Sequence, residues 1–433
     1  MAIQSLMIIL VVLLLLLALG VPIAYSIGIS ALAAILQVTP LDVAVITGAQ
    51  RTFVGMSKFS LTAIPFFILA GNLMNQGGIA KRLVDFVLAL LGKLPGALLV
   101  TNAGANALFG AISGSAAAAA AAVGSMVKGG EEELGYDRAL CGATNGASAP
   151  SGLLIPPSNA LITYSLASGG TSVAALFMAG YLPGILWTVC CILVGIILAK
   201  KMGYTGEKGR YDWKNLGVST YRALPALSLI VVVIGGIVGG IFTATEGAAI
   251  AVVYALLLGI LYKNITLTSF GEIVIKSVKM SGMVVFLIGV SNILGWVMAF
   301  TQIPQAVSAA LLGLTGNKFL ILLIMNLILL IAGTFMDVTP AILIFTPLFL
   351  PVVKTFGMHP VHFGLILVYN LCIGNITPPV GNTLFVAIKV GETSLQKVIP
   401  YMLWYYLAIL AGLMVVTYIP FVSMGLPGLM GLV

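Results

Sequence analysis

NGASAPSGLLIPPSN (residues 145–159) and GNITPPVGNT (374–383) are the two stretches on which the fold turns. Each lies in an apolar region and carries paired prolines, glycines, and Ser, Thr or Asn side chains beside them. Proline removes a backbone hydrogen bond and collides with the preceding turn, so two in succession break a helix. At membrane depth a broken helix survives only where protein or a water-filled cavity satisfies the freed N–H and C=O groups. A single break of this kind reads as a kink or a tight helix contact. Two matching ones, Pro156-Pro157 and Pro378-Pro379, point to a repeated element with a site in it.

The match extends outward from these breaks. Gly20 and GISALAAIL (28–36) correspond to Gly240 and GAAIAVVYAL (247–256). FFILAGNLM (66–74) corresponds to FLIGVSNIL (286–294), and GAISGS (110–115) to GTFMDV (333–338). The common order and an offset near 220–223 residues define two halves, 1–222 and 223–433.

Composition sets the class. Of 433 residues 60% are hydrophobic and 7% charged, against roughly 25% charged in soluble domains. Such a chain cannot cover its surface against water, and apolar runs of roughly 20 residues, enough for one crossing, recur from end to end. The expectation is an all-α integral membrane protein. Met1–Leu19 has no basic flank and its apolar run continues past Pro22 to Leu36, so it reads as part of the mature fold and not a signal peptide. The net charge of +8 reflects loops on the cytoplasmic side rather than nucleic-acid binding. Cys141, Cys190, Cys191 and Cys372 lie in apolar segments and read as small core residues. His359 and His362 have no Cys or acidic partner at ligand spacing, so no transition-metal site is expected.

Crossings fall near 5–20, 22–37, 61–77, 139–168 and 172–199, with 96–127 as a hairpin that enters and leaves on one side. Five crossings per half make the second half inverted relative to the first. That topology places sixteen of the twenty Lys and Arg on the cytoplasmic side, leaving only Arg51, Lys58, Lys318 and Lys354 opposite. Even-numbered halves give thirteen against seven, so the positive-inside rule favours inversion. In each half the reading gives a charged helix on the membrane surface (40–60 and 264–280). It also gives a re-entrant hairpin (96–127 and 318–356) and a broken helix (139–168 and 360–390).

Four irregular stretches pair across this repeat: 110–115 with 333–340, and the two prolyl breaks. Their hydroxyl, amide and carbonyl oxygens suit a hard cation such as sodium, and half-helix N-termini facing them attract an anion. Asp337 is a candidate for ion or substrate binding, or for capping the helix at Thr339-Pro340. Glu246, in TATEG (243–247), is expected to cap a helix. No relay of acids and histidines crosses the membrane, which favours sodium over protons as the coupling ion. A passive channel would need a continuous polar pore, whereas here the polar groups cluster in repeat-related pairs. The absence of HExxH and of a GK[ST] phosphate loop argues against a membrane hydrolase and against ATP as the energy source.

GAISGS (110–115), LLIPPS (153–158), FTATEGAAI (242–250), MDVTPAILIFTPLFLP (336–351), HPVHFG (359–364) and ITPPVG (376–381) carry a resemblance over nearly the whole chain. It resembles the large membrane subunit of the tripartite ATP-independent periplasmic (TRAP) transporters. The resemblance implies an elevator mechanism, in which the hairpins and broken helices slide against a scaffold and carry an organic acid such as a C4-dicarboxylate or sialic acid. It implies sodium as the coupling ion with no other cofactor, a small membrane subunit, and a periplasmic binding protein. Carried over residue by residue, it assigns sodium ligation to Ser113, Ser115, Asn145 and Ser148, and to Gly333, Asp337, Thr339, Asn375 and Thr377. Substrate would lie between them, near Ser158, Asn159, Asn382 and Thr383. The chain departs from the family in the seven alanines 116–122, in Val338 where proline is usual, and in the amides of Asn375 and Asn382. Extra amides suit a hydroxylated acid, so a sugar acid such as sialic acid is favoured over a dicarboxylate. No small-subunit region precedes the first repeat, so that partner is expected as a separate chain.

Overall fold

A computed structural model describes residues 1–206 and 212–433. Part of the expected cytoplasmic loop 200–222, residues 207–211, lies outside the described residues. Apolar composition and helix-breaking punctuation produce an all-helical chain, with no strand among the described residues.

The first half contains α1 (Ala2–Ala18), α2 (Ile23–Ile35), α3 (Leu41–Met56), α4 (Ala63–Gln76) and α5 (Ile79–Leu91). These are followed by α6 (Ala97–Ser113), α7 (Ala116–Glu133), α8 (Arg138–Ser148), α9 (Ser151–Leu154), α10 (Asn159–Ala167) and α11 (Val173–Lys201). The second half runs α12 (Trp213–Val238), α13 (Ala244–Leu261), α14 (Leu267–Phe300), α15 (Ile303–Leu314) and α16 (Lys318–Phe335). It ends with α17 (Val338–Thr355), α18 (Pro360–Gly374), α19 (Asn382–Val390), α20 (Leu395–Tyr418) and α21 (Phe421–Leu429). Helix boundaries repeat with the sequence. The span of α7 recurs as α17 222 residues on, and that of α10 as α19 223 residues on.

Among the described residues seven helices, α11–α14, α16, α17 and α20, are long and apolar enough to cross a membrane. Helices α1 and α2 are shorter, separated at Gly20–Pro22, and pack against each other.

The halves differ where α3 and α4 of the first correspond to α14 of the second. Helix α3 and the segment Phe59–Gln76 meet at 60°, the break falling at Ser57–Lys58, before a short 3-10 turn (Phe59–Thr62) that leads into α4. Residues 267–300 contain no proline, and α14 is one helix of 34 residues, about 51 Å at 1.5 Å per residue. Residues 264–280, expected as a separate surface helix, are therefore mostly the first half of α14.

The helices pack as two bodies that also meet closely along α5 on α6 and along α14 and α15 on α17. In one, α4 lies on α13, and α14 lies on α2, α3 and α4. In the other, α11 lies on α6 and α20, and the halves interlock: α7 and α8 pack on α19, α10 on α17. Each hairpin also sits tightly on its own broken helix. A methyl group on Gly152 would overlap Gly110, and one on Gly374 would overlap Gly333. Only a glycine pair allows that approach, and it occurs at the same place in both halves.

Glu246 is where capping predicts it. Thr243 and Glu246 form a reciprocal capping box at the start of α13, with the Thr243 N–H donating to Glu246 Oε2 at 2.7 Å.

Candidate functional site

The first tip forms because Gly114 takes a left-handed conformation (φ 61°) after α6 and Ser115 then caps α7, accepting the Ala118 N–H at 3.3 Å. Ser113 Oγ turns back to the carbonyls of Ser115 (3.4 Å) and Gly110 (3.5 Å). The prolyl break meets this tip. Ser158 caps α10 and donates to the Leu153 carbonyl across the break. Asn159 Nδ2 donates to the Gly114 carbonyl at 3.5 Å, while its Oδ1 is buried without a partner.

The second tip has the same plan with different groups. Asp337 caps α17, its Oδ1 accepting the Val338 N–H at 2.8 Å. The Thr334 carbonyl accepts the Val380 N–H at 3.2 Å, joining tip to break. Thr377 Oγ1 is spent on the Ile373 carbonyl at 2.7 Å. Asn375 Oδ1 and Thr383 Oγ1 are buried and unpartnered, although buried polar atoms are normally bonded. Helix α19 has Gly381 at its N-cap and no side-chain cap, and in its first turn the Thr383 N–H donates to the Asn375 carbonyl at 3.2 Å.

The tips and the starts of α10 and α19 converge on a cavity of about 660 Å³. Ser115 and Asn159 reach it from the first half, and Asp337, Thr339, Asn375 and Asn382 from the second. Its apolar wall includes Ile64 and Ile68 of α4 and Met280 and Met283 of α14, so both bodies enclose it. Gly333, buried against Gly374, is part of the packing at the second tip.

Asn145 and Ser148 lie elsewhere. They are on α8, where Asn106 Nδ2 of α6 donates to Asn145 Oδ1 (3.0 Å), Ser148 Oγ (3.0 Å) and Asn102 Oδ1 (2.7 Å). Asn145 Nδ2 donates in turn to the Ala120 carbonyl of α7 at 2.8 Å. This buried network ties three helices together. Its counterpart in the second half is Asn326–Asn370–Thr417, with bonds of 2.7 and 3.0 Å.

Sequence reasoning passed over Asn102 and Asn106, although two amides one turn apart in an apolar helix were a visible signal. It also passed over Lys389, which lines the cavity. Asn382, Phe385, Val386 and Lys389 follow i, i+3, i+4, i+7, the spacing of one helix face, and all four line the cavity.

Two inward-facing tips set in a repeated helical fold define a class, the membrane transporters. The solved YdaH transporter of Alcanivorax borkumensis has this fold, with a TM-score of 0.59 over 84% of this chain and 85% of its own at 16% identity. The family follows from sequence. Residues 10–422 match the tripartite ATP-independent periplasmic transporter, DctM component. The uncharacterized protein YgiK of Salmonella typhimurium is 50% identical over 95% of each chain. The C4-dicarboxylate TRAP transporter large permease protein DctM of Rhodobacter capsulatus is 37% identical, over 95% of this chain and 96% of its own. The isethionate TRAP transporter permease protein DctMQ of Oleidesulfovibrio alaskensis is 39% identical over 95% of this chain, which spans 65% of that longer protein. The chain belongs to the TRAP transporter large permease family. It is a multi-pass protein of the bacterial inner membrane and a transport subunit, not an enzyme.

Proposed function

We propose that this chain imports an organic acid across the inner membrane, coupled to a sodium gradient, by an elevator motion of its hairpin-bearing body against the scaffold. The observation that carries the reading is the cavity between the two repeat-related tips. Ion coupling is supported by the carboxylate of Asp337, which lines the same cavity as Asn375, whose buried Oδ1 has no partner; such oxygens suit a hard cation. The motion is supported by the division into two bodies, with α4 and α5 meeting α6, and α14 and α15 meeting α17. Within this reading the hairpins are re-entrant and the halves inverted, the arrangement in which two similar states exchange.

Relatives named for C4-dicarboxylate, isethionate and sialic acid support a small organic anion as the substrate class. The amides of Asn159, Asn375 and Asn382 favour a hydroxylated acid within that class. A small membrane subunit and a periplasmic binding protein complete the transporter. The name of the longer DctMQ relative suggests that large and small subunits are joined in some members.

The test is thermal unfolding of the purified protein, with its small subunit, in sodium against choline at equal ionic strength. Binding to the folded state raises the unfolding temperature, so sodium should stabilise the protein, and an inward sodium gradient should drive uptake into proteoliposomes. A folded protein indifferent to sodium, with uptake following a proton gradient, would replace sodium by protons. Downhill flux alone would make it a channel.

A further inference from the structure

Resting on the reading of the cavity as the substrate site, we infer that Lys389 is the anion-gripping and specificity-determining residue of this permease, and that the cavity selects a substrate with a single acid group on a hydroxylated body.

Geometry comes first. Helix α19 is nine residues long and lies along the cavity. Thr383, Leu384, Ala387 and Ile388 turn into the protein, and the opposite stripe of Asn382, Phe385, Val386 and Lys389 turns to the cavity. Seven residues separate the Asn382 amide from the Lys389 ammonium along that stripe, a rise of about 10 Å between their backbones. One face therefore offers a hydrogen-bonding group at one end, an apolar middle and a cation at the other end. That pattern fits a molecule with a polar, uncharged body and an acidic head.

Charge comes next. Among the described residues Lys389 is the one cationic side chain lining the cavity, and Asp337 the one acid. The acid nearest Lys389 in sequence, Glu392, is held by Lys128 at 2.6 Å and Arg138 at 3.6 Å. The hydrogen bond and charge of Lys128, with Arg138 adding to them, hold that carboxyl below its ordinary value. Among the described residues no carboxylate pairs with Lys389, so its charge is available to a ligand. With Asp337 committed to a coupling cation, one fixed positive charge remains for one acid group. A second carboxylate would find no second cation in this lining, where its neighbours Phe385, Val386 and Met283 are apolar. At the equivalent position of the first half α10 carries Leu166, so the charge is not a product of the repeat.

The experiment titrates gluconate, N-acetylneuraminate, isethionate and succinate in sodium buffer at constant ionic strength. Thermal stabilisation of the purified protein with its small subunit is the readout, for the parent, Lys389→Gln and Lys389→Arg. At least one monoanion should protect the parent, with succinate about tenfold weaker or more. Lys389→Gln should weaken monoanion binding about tenfold, as loss of a charge-assisted contact does, while Lys389→Arg stays within about threefold and both keep the parent's sodium response. Unchanged affinity in Lys389→Gln would make Lys389 an ordinary interfacial lysine and overturn the assignment. Succinate binding as tightly as any monoanion would overturn the single-charge selection. Failure of all three monoanions to protect a sodium-stabilised parent would overturn both. A parent that sodium does not stabilise breaks the coupling reading instead, and the anion titration still decides the role of Lys389.

Discussion

The hairpin tips at 110–115 and 333–338 hold equivalent places in the repeat but end their helices with different chemistry. In the first, neutral hydroxyls close the turn: Ser115 caps α7 and Ser113 folds back on neighbouring carbonyls. In the second a carboxylate caps α17, and the adjoining break leaves Asn375 Oδ1 and Thr383 Oγ1 without partners. Both tips keep the glycine contact to their broken helix, Gly110 with Gly152 and Gly333 with Gly374. The repeat thus preserves backbone geometry while the side chains specialise. Both breaks leave a buried amide oxygen without a partner, Asn159 Oδ1 in the first and Asn375 Oδ1 in the second, and the second tip adds a carboxylate.

The largest effect should come from setting the tips against each other. Asp337→Asn removes the charge and should weaken sodium affinity, read from thermal stabilisation, by about tenfold or more, because charged contacts are roughly twice as strong as neutral ones. Ser115→Ala, which removes a neutral hydroxyl, should weaken it by about threefold. Equal losses would mean that the tips contribute alike and would break the comparison.

A second experiment separates ion ligation from packing in the first half. Asn106→Ala strips the donor shared by Asn102, Asn145 and Ser148. It should destabilise the protein by about 1–3 kcal/mol, the cost of leaving buried polar atoms unpaired, with an unchanged sodium titration. A weakened sodium response in a folded variant would instead place Asn145 and Ser148 beside the ion.

The smallest effect belongs far from both tips. Thr243→Ala removes one side of the capping box on α13 and should cost about 1 kcal/mol in unfolding, with no change in substrate uptake per folded molecule. A change in uptake would give the Thr243–Glu246 pair a part in transport.

Much of this was legible in the residues, for physical reasons that can be named. Hydropathy and the scarcity of charge required a membrane-embedded helical chain, because neither solvent leaves another option for such a composition. The punctuation at Gly114, at Pro156-Pro157 and at Pro378-Pro379 marked where helices stop, because those signals act within a turn or two of chain. The matched offset located a hairpin and a broken helix in each half. What the residues alone did not reveal depended on contacts between distant segments. The helix 267–300 is continuous because nothing within it interrupts it, which the analogy to its bent partner concealed. Asn145 and Ser148 carry oxygens suited to an ion, and the fold brings Asn106, 39 and 42 residues away, to donate to both. Lys389 had the right spacing to share a face with Asn382, but only tertiary structure decided that this face borders a cavity. Local sequence sets where a helix begins, ends and turns polar, whereas which polar groups meet each other and which meet empty space is fixed by packing across the two halves.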